Sequence, residues 1–398
     1  MYVIGIVKEG CHVKLFYVDP QSYNNLADYD RYLLASIDGE RHFFCSTKFC
    51  GSLDGVRTVS CFGYNDLSGL KKIVSYTSTL LYLCRMVKKH QPDIVHFQWF
   101  KIPLFDRCVL KQIKRISPKS KIVFTAHNVL PHDTGDKYKK YYGKIYNFVD
   151  GIIVHGNRTK QSLVEAFGVA PDKVSVIPHG FLPRKPCRKG GVRPAAALTF
   201  SLIGSLTKYK GVDLLVDAWT SSAMLSSSDT CRLIIAGGGR MACLSKAEKC
   251  RSIQVVNKFL SDEELDEIVD KTDVSVLPYR EISQSGVLLT MLAAHKPVIV
   301  SDVGDITQPF DIAQCGWILP DVQAGAIRMM LEQIARDKSS VDEIKNDSAL
   351  WEKIDSFYSW EDIGRKTTLF YNSLCMRESG IAATLNILSI SREGGGSP

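Results

Sequence analysis

Strand-length apolar runs alternate with helical patterns along nearly the whole of this chain, and that alternation limits its fold more than any other feature. In the first half the runs fall at residues 13–18, 42–45, 56–61, 93–97, 121–125, 151–154 and 174–177. Helical patterns lie between them at 23–37, 71–89, 105–115 and 159–167, the second with apolar residues at Ile73, Leu80, Leu83, Met86 and Val87. Strands buried on both faces read as continuous apolar runs, and a helix between two of them is the usual connection of a parallel pair. The expectation is an α/β chain with doubly wound parallel sheets. At 398 residues it is too long for one ordinary core, which points to two or three domains.

The alternation breaks once. Residues 183–196 bring together three prolines, two glycines and five basic residues, the composition of a linker. Strand-like runs then resume at 198–203, 232–236, 253–256, 273–277, 297–301 and 317–319. Ser261 opens a helix there, since its hydroxyl can cap with Glu264 three residues on. The expected division is a domain over 1–182, the linker, a domain over 197–360, a helix over 361–378 and a disordered tail over 379–398. Two Rossmann-like halves of this kind would face each other across a cleft outside the carboxyl ends of their strands, where open α/β sheets bind ligands.

Charge is uneven between the halves. Residues 1–185 hold 27 Lys and Arg against 15 Asp and Glu, a net +12, and the remainder holds 23 against 27, a net −4. One basic face is implied. The densest stretch, 136–144, interleaves Lys137, Lys139, Lys140 and Lys144 with Tyr138, Tyr141 and Tyr142. It suits a solvated helix face, or a surface for an anionic membrane or a lipid-phosphate acceptor to which the tyrosines add interfacial anchoring. No nucleic-acid motif accompanies it, so nucleic acid is not an expected partner. No apolar run spans a bilayer, the first residues lack the pattern of a signal peptide, and the cysteines form neither Cys-x-x-Cys pairs nor zinc-type clusters. A cytoplasmic protein with reduced cysteines is expected, with a peripheral place on the inner membrane face as a further option.

Two strand-to-helix turns carry the chemistry. Gly204-Ser205-Leu206-Thr207-Lys208-Tyr209-Lys210-Gly211 follows one strand, and Ser285-Gly286-Val287 opens an apolar helix after another. Small residues let a ligand approach the backbone, and the free N–H groups of a first helical turn favour an anion. Two such cradles in one half, one with lysines, suggest a diphosphate held from two sides. A nicotinamide dehydrogenase is disfavoured because no strand leads into a full Gly-x-Gly-x-x-Gly.

Taken together, Asp93 to Trp99 (DIVHFQW), Phe124 to Asn128 (FTAHN), Ile153 to Gly156, Val174 to Gly180 (VSVIPHG), Gly204 to Gly211, Leu233 to Gly239, Ser283 to Val287, Lys296 to Ile299 and Tyr358 to Glu361 resemble the GT-B glycosyltransferases of retaining family 4, the group that builds bacterial surface polysaccharides. The resemblance implies transfer of a hexose from a nucleotide-diphosphate sugar to a glycan or lipid-linked acceptor, with no cofactor and no metal. It implies Lys210 on the β-phosphate with Lys208 as the available second cation, and Gly204, Ser285, Gly286 and Val287 around the diphosphate. His127 matches the family histidine facing the donor sugar, Glu281 a group for sugar hydroxyls, and Lys258, Phe259 and Leu260 the base-binding segment. His96, His179 and Gln284 are further cleft candidates. The family's Glu-x7-Glu motif departs here: Thr290 stands where a Glu grips the donor ribose, and Ile282 at the first Glu. The loop after the first strand, from Asp19 to Tyr23, also lacks the family's glycines. Alternative readings are a GT-B sugar-nucleotide epimerase, which needs several cleft carboxylates, and a non-catalytic sugar-nucleotide-binding protein.

Overall fold

A computed structural model describes residues 13–23, 26–130, 135–182, 197–227 and 229–376. The linker expected at 183–196 and the tail expected at 379–398 lie outside the described residues. The first sheet is built of β1 (Lys14–Asp19), β2 (Glu40–Ser46), β3 (Val56–Phe62), β4 (Ile94–Phe97), β5 (Lys121–Thr125), β6 (Gly151–Val154) and β7 (Val174–Val176), in the spatial order β3-β2-β1-β4-β5-β6-β7. The second holds β8 (Leu198–Ile203), β9 (Cys231–Ala236), β10 (Ile253–Val256), β11 (Val274–Leu277), β12 (Val298–Val300) and β13 (Gly316–Ile318), in the order β10-β9-β8-β11-β12-β13. Every pairing in both sheets is parallel. The expected architecture, two Rossmann-like doubly wound sheets, is the observed one.

Burial explains why these runs are strands. Every residue of β4, β5, β6 and β11 is buried, so their unbroken apolar character matches a sheet covered on both faces. On one face of the first sheet Phe16, Val95 and Ile122 pack with Leu80 and Leu83 of the helix Gly69–His90, Leu110 of the helix Pro103–Ile116 and Ile145 of the helix Lys139–Phe148. On the other, Leu15, Tyr17, Ile94 and Val123 meet Leu33 of the helix Leu26–Ser36 and Ile363, Tyr371 and Leu374 of the helix Trp360–Met376. This last helix lies so close to its neighbour that a Cβ on Gly364 would stand 2.1 Å from the Ser36 carbonyl oxygen. The chain therefore ends its described part against the sheet with which it began. No helix among the described residues is long and apolar enough to cross a membrane.

One expected surface is corrected. Tyr142 is buried in the first core, where its hydroxyl donates to the Phe100 carbonyl at 3.3 Å, and the partly buried Tyr138 packs on the same cluster. An aromatic ring that closes a core cannot insert into a membrane, so Lys137, Lys139, Lys140 and Lys144 form the exposed basic face of this stretch.

Strand order reverses between β1 and β4 in the first sheet and between β8 and β11 in the second. Loops on either side of such a reversal diverge and leave a crevice at the carboxyl ends of the strands. The residues that follow β1, β4, β8 and β11 are therefore where a ligand belongs.

Candidate functional site

Beyond β8 the chain turns at Gly204, with φ of +109°, a conformation that favours glycine. It then makes a single short turn at Lys208–Lys210, passes Gly211 at φ +71° and enters the helix Val212–Thr220. This geometry sends the two lysines apart. Lys208 is exposed, whereas Lys210 folds inward and is only 8% exposed. A Cβ on Gly204 would stand 2.5 Å from Lys210 Nζ and 3.4 Å from Val287 Cγ2, so the two turns converge on one point. Burial lowers the Lys210 pKa, and no neighbouring charge offsets it. Lys210 Nζ lies 5.5 Å from the Tyr279 ring centroid, and a buried cation without a counter-charge favours an incoming anion.

The facing turn supplies the second half of that site. Ser285 caps the helix Gly286–Ala293 by accepting the Leu288 N–H at 3.2 Å. Space is open where a Cβ on Gly286 would project, so an anion can reach the first N–H groups. Gln284 is half-buried and Glu281 exposed in the loop before this cap. Thr290, one turn on, donates its hydroxyl to the Gly286 carbonyl at 2.9 Å. Lys258, Phe259 and Leu260 follow β10; Lys258 pairs with Glu264, and the Phe259 ring is 91% exposed. Asn257 accepts the Gly239 N–H at 3.1 Å, which ties this segment to the glycine turn after β9.

In the first sheet four imidazoles gather at the strand ends. His96, fully buried, meets the Tyr371 hydroxyl at 2.6 Å through Nδ1 and the Thr125 hydroxyl at 2.7 Å through Nε2. His127 stacks on Trp99 with ring centroids 4.7 Å apart and contacts His155 Nε2 through Nδ1 at 3.1 Å. His155 Nδ1 faces the Ile177 carbonyl at 2.9 Å. That carbonyl can only accept, so His155 Nδ1 carries the proton, and its Nε2 accepts from His127 Nδ1. His179 donates through Nδ1 to the Gly180 carbonyl at 2.7 Å and lies 5.7 Å from His155 by ring centroids. Burial pushes His96 and His155 down to about 3. It drives His127 well below the usual histidine range, with His155, His179 and His96 adding to the effect. Neutral His127 thus donates from Nδ1 and keeps a lone pair on Nε2. Gln98 Oε1 lies 2.9 Å from that nitrogen, an arrangement suited to the imidazolium. The neutral ring, which burial favours, requires the Gln98 amide turned over so that its N–H faces Nε2.

The two sheets are joined through Asp305. Its buried carboxylate accepts the backbone N–H groups of Arg158 at 2.8 Å and Thr159 at 3.1 Å, and the Thr159 hydroxyl as well. It thereby caps the helix Asn157–Phe167, whose own Gly156 offers no side-chain cap. Arg158 also pairs with Asp302. The Asp305 N–H donates to the Ser283 carbonyl, in the loop before the Ser285 turn, at 3.2 Å. One residue therefore links the Ser285 turn to the strand end that carries His155.

Sequence reasoning missed Gln98, Trp99 and His155 as site residues and missed Asp305 altogether. Gln98 and Trp99 stand within the 93–99 motif and His155 within 153–156, so motif membership was the available signal. Asp305 had none, because its partners lie about 147 residues away. The glycine-free loop after β1 is also explained: Asp19 accepts the Gln21 N–H at 2.5 Å, and the Ser22 hydroxyl donates to the Asp19 carbonyl at 3.0 Å. A side-chain turn does there what glycines do elsewhere.

Comparison with known proteins agrees with this geometry. Residues 34–183 match the family described as Glycosyltransferase Family 4, and residues 197–336 match Glycosyl transferases group 1. Among curated proteins, an uncharacterised glycosyltransferase of Methanocaldococcus jannaschii is 26% identical over 55% of this chain and 59% of its own length. The amylovoran biosynthesis glycosyltransferase AmsK of Erwinia amylovora is 22% identical over 58% of this chain and 59% of its own. The matched stretch thus spans about three fifths of the length of these relatives. In fold, a glycosyltransferase of Rickettsia africae shares a TM-score of 0.66 at 16% identity, over 92% of this chain and 99% of that one. Anabaena HepE, solved with UDP and glucose, shares 0.66 at 12%, over 91% and 100%. Two doubly wound parallel sheets and these neighbours in fold place the architecture in the GT-B class. Within it, residues 34–183 and 197–336 resemble the two domains of glycosyltransferases of the family 4 type.

Proposed function

We propose that the protein is a retaining, metal-independent hexosyltransferase that uses a nucleotide-diphosphate sugar and extends a glycan or lipid-linked acceptor in surface polysaccharide synthesis. The observation that carries this reading is the convergence of Gly204, buried Lys210 and Val287 at the second sheet's switch point. Departure of a nucleoside diphosphate from a sugar places negative charge on the leaving oxygen. A cation and backbone N–H groups already fixed around that oxygen stabilise the charge as it develops. In this mechanism the sugar–phosphate C–O bond breaks, the acceptor oxygen bonds to the same carbon on the same face, and the acceptor proton passes to the departing phosphate. Phe259 gives a nucleobase a face to stack on, and a uridine donor is favoured by the UDP-bound structural neighbour. His127, wedged between Trp99 and His155 with both ring nitrogens engaged by His155 and Gln98, shapes the sugar site by packing.

The product should keep the donor's anomeric configuration, and EDTA should leave the rate unchanged. Product NMR showing inversion, or activity lost to chelator and restored by Mn²⁺, contradicts the proposal.

Thr290 offers a second test. Its hydroxyl is spent on the Gly286 carbonyl, so a ribose there finds one shared neutral group instead of a carboxylate with two charge-assisted acceptors. Thr290→Glu should tighten UDP binding about tenfold, the equivalent of about 1.4 kcal/mol. Unchanged or weaker binding by calorimetry removes Thr290 from the ribose site.

A further inference from the structure

Beside the imidazole cluster the first sheet carries a second feature that the donor chemistry leaves unused. A cavity of about 430 Å³ opens next to the β1 and β4 strand ends, lined by Gln21, Tyr23, Tyr64, Lys72, Ile73 and Lys101, with others. Its Tyr64 is 3% exposed, and the Tyr64 hydroxyl has no hydrogen-bond partner. Such an orphaned donor costs free energy unless a ligand satisfies it. The cations are two: Lys72 Nζ stands 5.7 Å from the Tyr64 ring centroid, and Lys101 Nζ stands 5.8 Å from that of Trp99. Trp99 stacks in turn on His127, so the cavity lies one aromatic ring from the proposed sugar site.

The rim is apolar in a way the fold does not require. Leu67 is 37% exposed, Leu70 75%, Ile73 49% and Val74 56%, all at or just before the start of the helix Gly69–His90, with exposed Lys71 and Lys72 among them. Leu104, 58% exposed, opens the adjacent helix Pro103–Ile116. Deeper along its length the first helix buries Tyr76, Leu80, Leu83 and Val87, and its exposed apolar side continues to Leu81 and Tyr82. Apolar side chains mixed with lysines suit an anionic lipid interface: the chains enter the hydrocarbon boundary and the ammonium groups meet phosphate. The exposed lysines of 137–144 lie on the same face of the sheet, since the three helices that cover it pack side by side.

We propose that this cavity is the acceptor subsite and that the acceptor is a lipid-borne glycosyl phosphate or diphosphate. Its phosphate binds Lys72, Lys101 and the Tyr64 hydroxyl, and its lipid lies along Leu70, Ile73 and Val74. The proposal rests on the glycosyltransferase reading and adds to it the chemical class and the seat of the acceptor.

The test uses the full chain and phosphatidylcholine vesicles with or without a minor fraction of polyprenyl diphosphate, read by sedimentation. Calorimetry of inorganic pyrophosphate, with UDP saturating the donor site, reads the phosphate seat alone. Wild type should sediment with the polyprenyl diphosphate vesicles and not with phosphatidylcholine alone. Lys72→Glu with Lys101→Glu should lose at least tenfold in both measurements, and Tyr64→Phe about threefold to tenfold in both. Leu70→Ser with Val74→Ser should lose vesicle binding and keep pyrophosphate binding, which separates a lipid source from a free phosphate. UDP binding should match wild type in every variant, which also shows that each is folded. Wild-type behaviour of the lysine variant overturns the proposal; so does an apolar variant that still sediments, because the lipid then does not lie along Leu70, Ile73 and Val74. Failure of wild type to bind UDP at all would instead overturn the glycosyltransferase reading itself.

Discussion

Replacing Lys210 by Ala should lower kcat by about 10²–10³-fold, the usual cost of removing one preorganised group from a developing oxyanion. Lys210 is buried, faces no carboxylate that offsets its burial, and is aimed at the turn where Gly204 and Val287 meet. Arg should not substitute. The space beside Gly204 is already so filled that one added Cβ would come within 2.5 Å of Lys210 Nζ, and a planar guanidinium is larger than an ammonium. Steady-state kinetics with saturating donor decides the matter. A Lys210→Ala enzyme that keeps more than half of wild-type kcat takes the residue out of the mechanism.

Asp305→Ala should be the most damaging change away from the reacting atoms. It leaves the first N–H groups of the helix Asn157–Phe167 without their acceptor and unties the Ser283 loop from the first sheet. Loss of a charged cap and the hydrogen bonds it accepts costs about 2 kcal/mol, enough to shift a closed–open equilibrium roughly thirtyfold. Small-angle scattering should show a larger radius of gyration, and kcat/KM should fall by a similar factor. Gly156→Ala should reproduce both effects, because its Cβ would stand 2.0 Å from the Asp305 carboxyl carbon. Compact variants with unaltered kcat/KM would show that Asp305 only decorates the interface.

These effects also mark where sequence reading succeeds and where it stops. β5, β6 and β8 occupy the residues that the apolar runs indicate, because a strand buried on both faces writes its burial directly into consecutive residues. Short local devices were legible for the same reason: the Ser261–Glu264 capping box and the Ser285 cap each involve residues three apart. The lysine pair was only half legible. Lys208 and Lys210 look equivalent along the chain, yet one short turn buries the second and leaves the first in solvent. Least legible were groups whose meaning lies in a distant partner. Gln98, His127 and His155 contact one another across 28 or 29 residues, Tyr371 reaches His96 across 275, and Asp305 meets Arg158 across 147. Periodicity carries no trace of such pairs. Tyr142 misled for the opposite reason, since basic neighbours gave a core residue the look of a surface one.

A crystal structure with the intact UDP-sugar in the presence of EDTA tests the central claim most directly. The account predicts density for the β-phosphate between Lys210 Nζ and the N–H groups of Gly286 and Val287, with no metal ion bridging the phosphates and the sugar directed toward His127. A diphosphate seated elsewhere, with Lys210 still buried and unpaired, would contradict it.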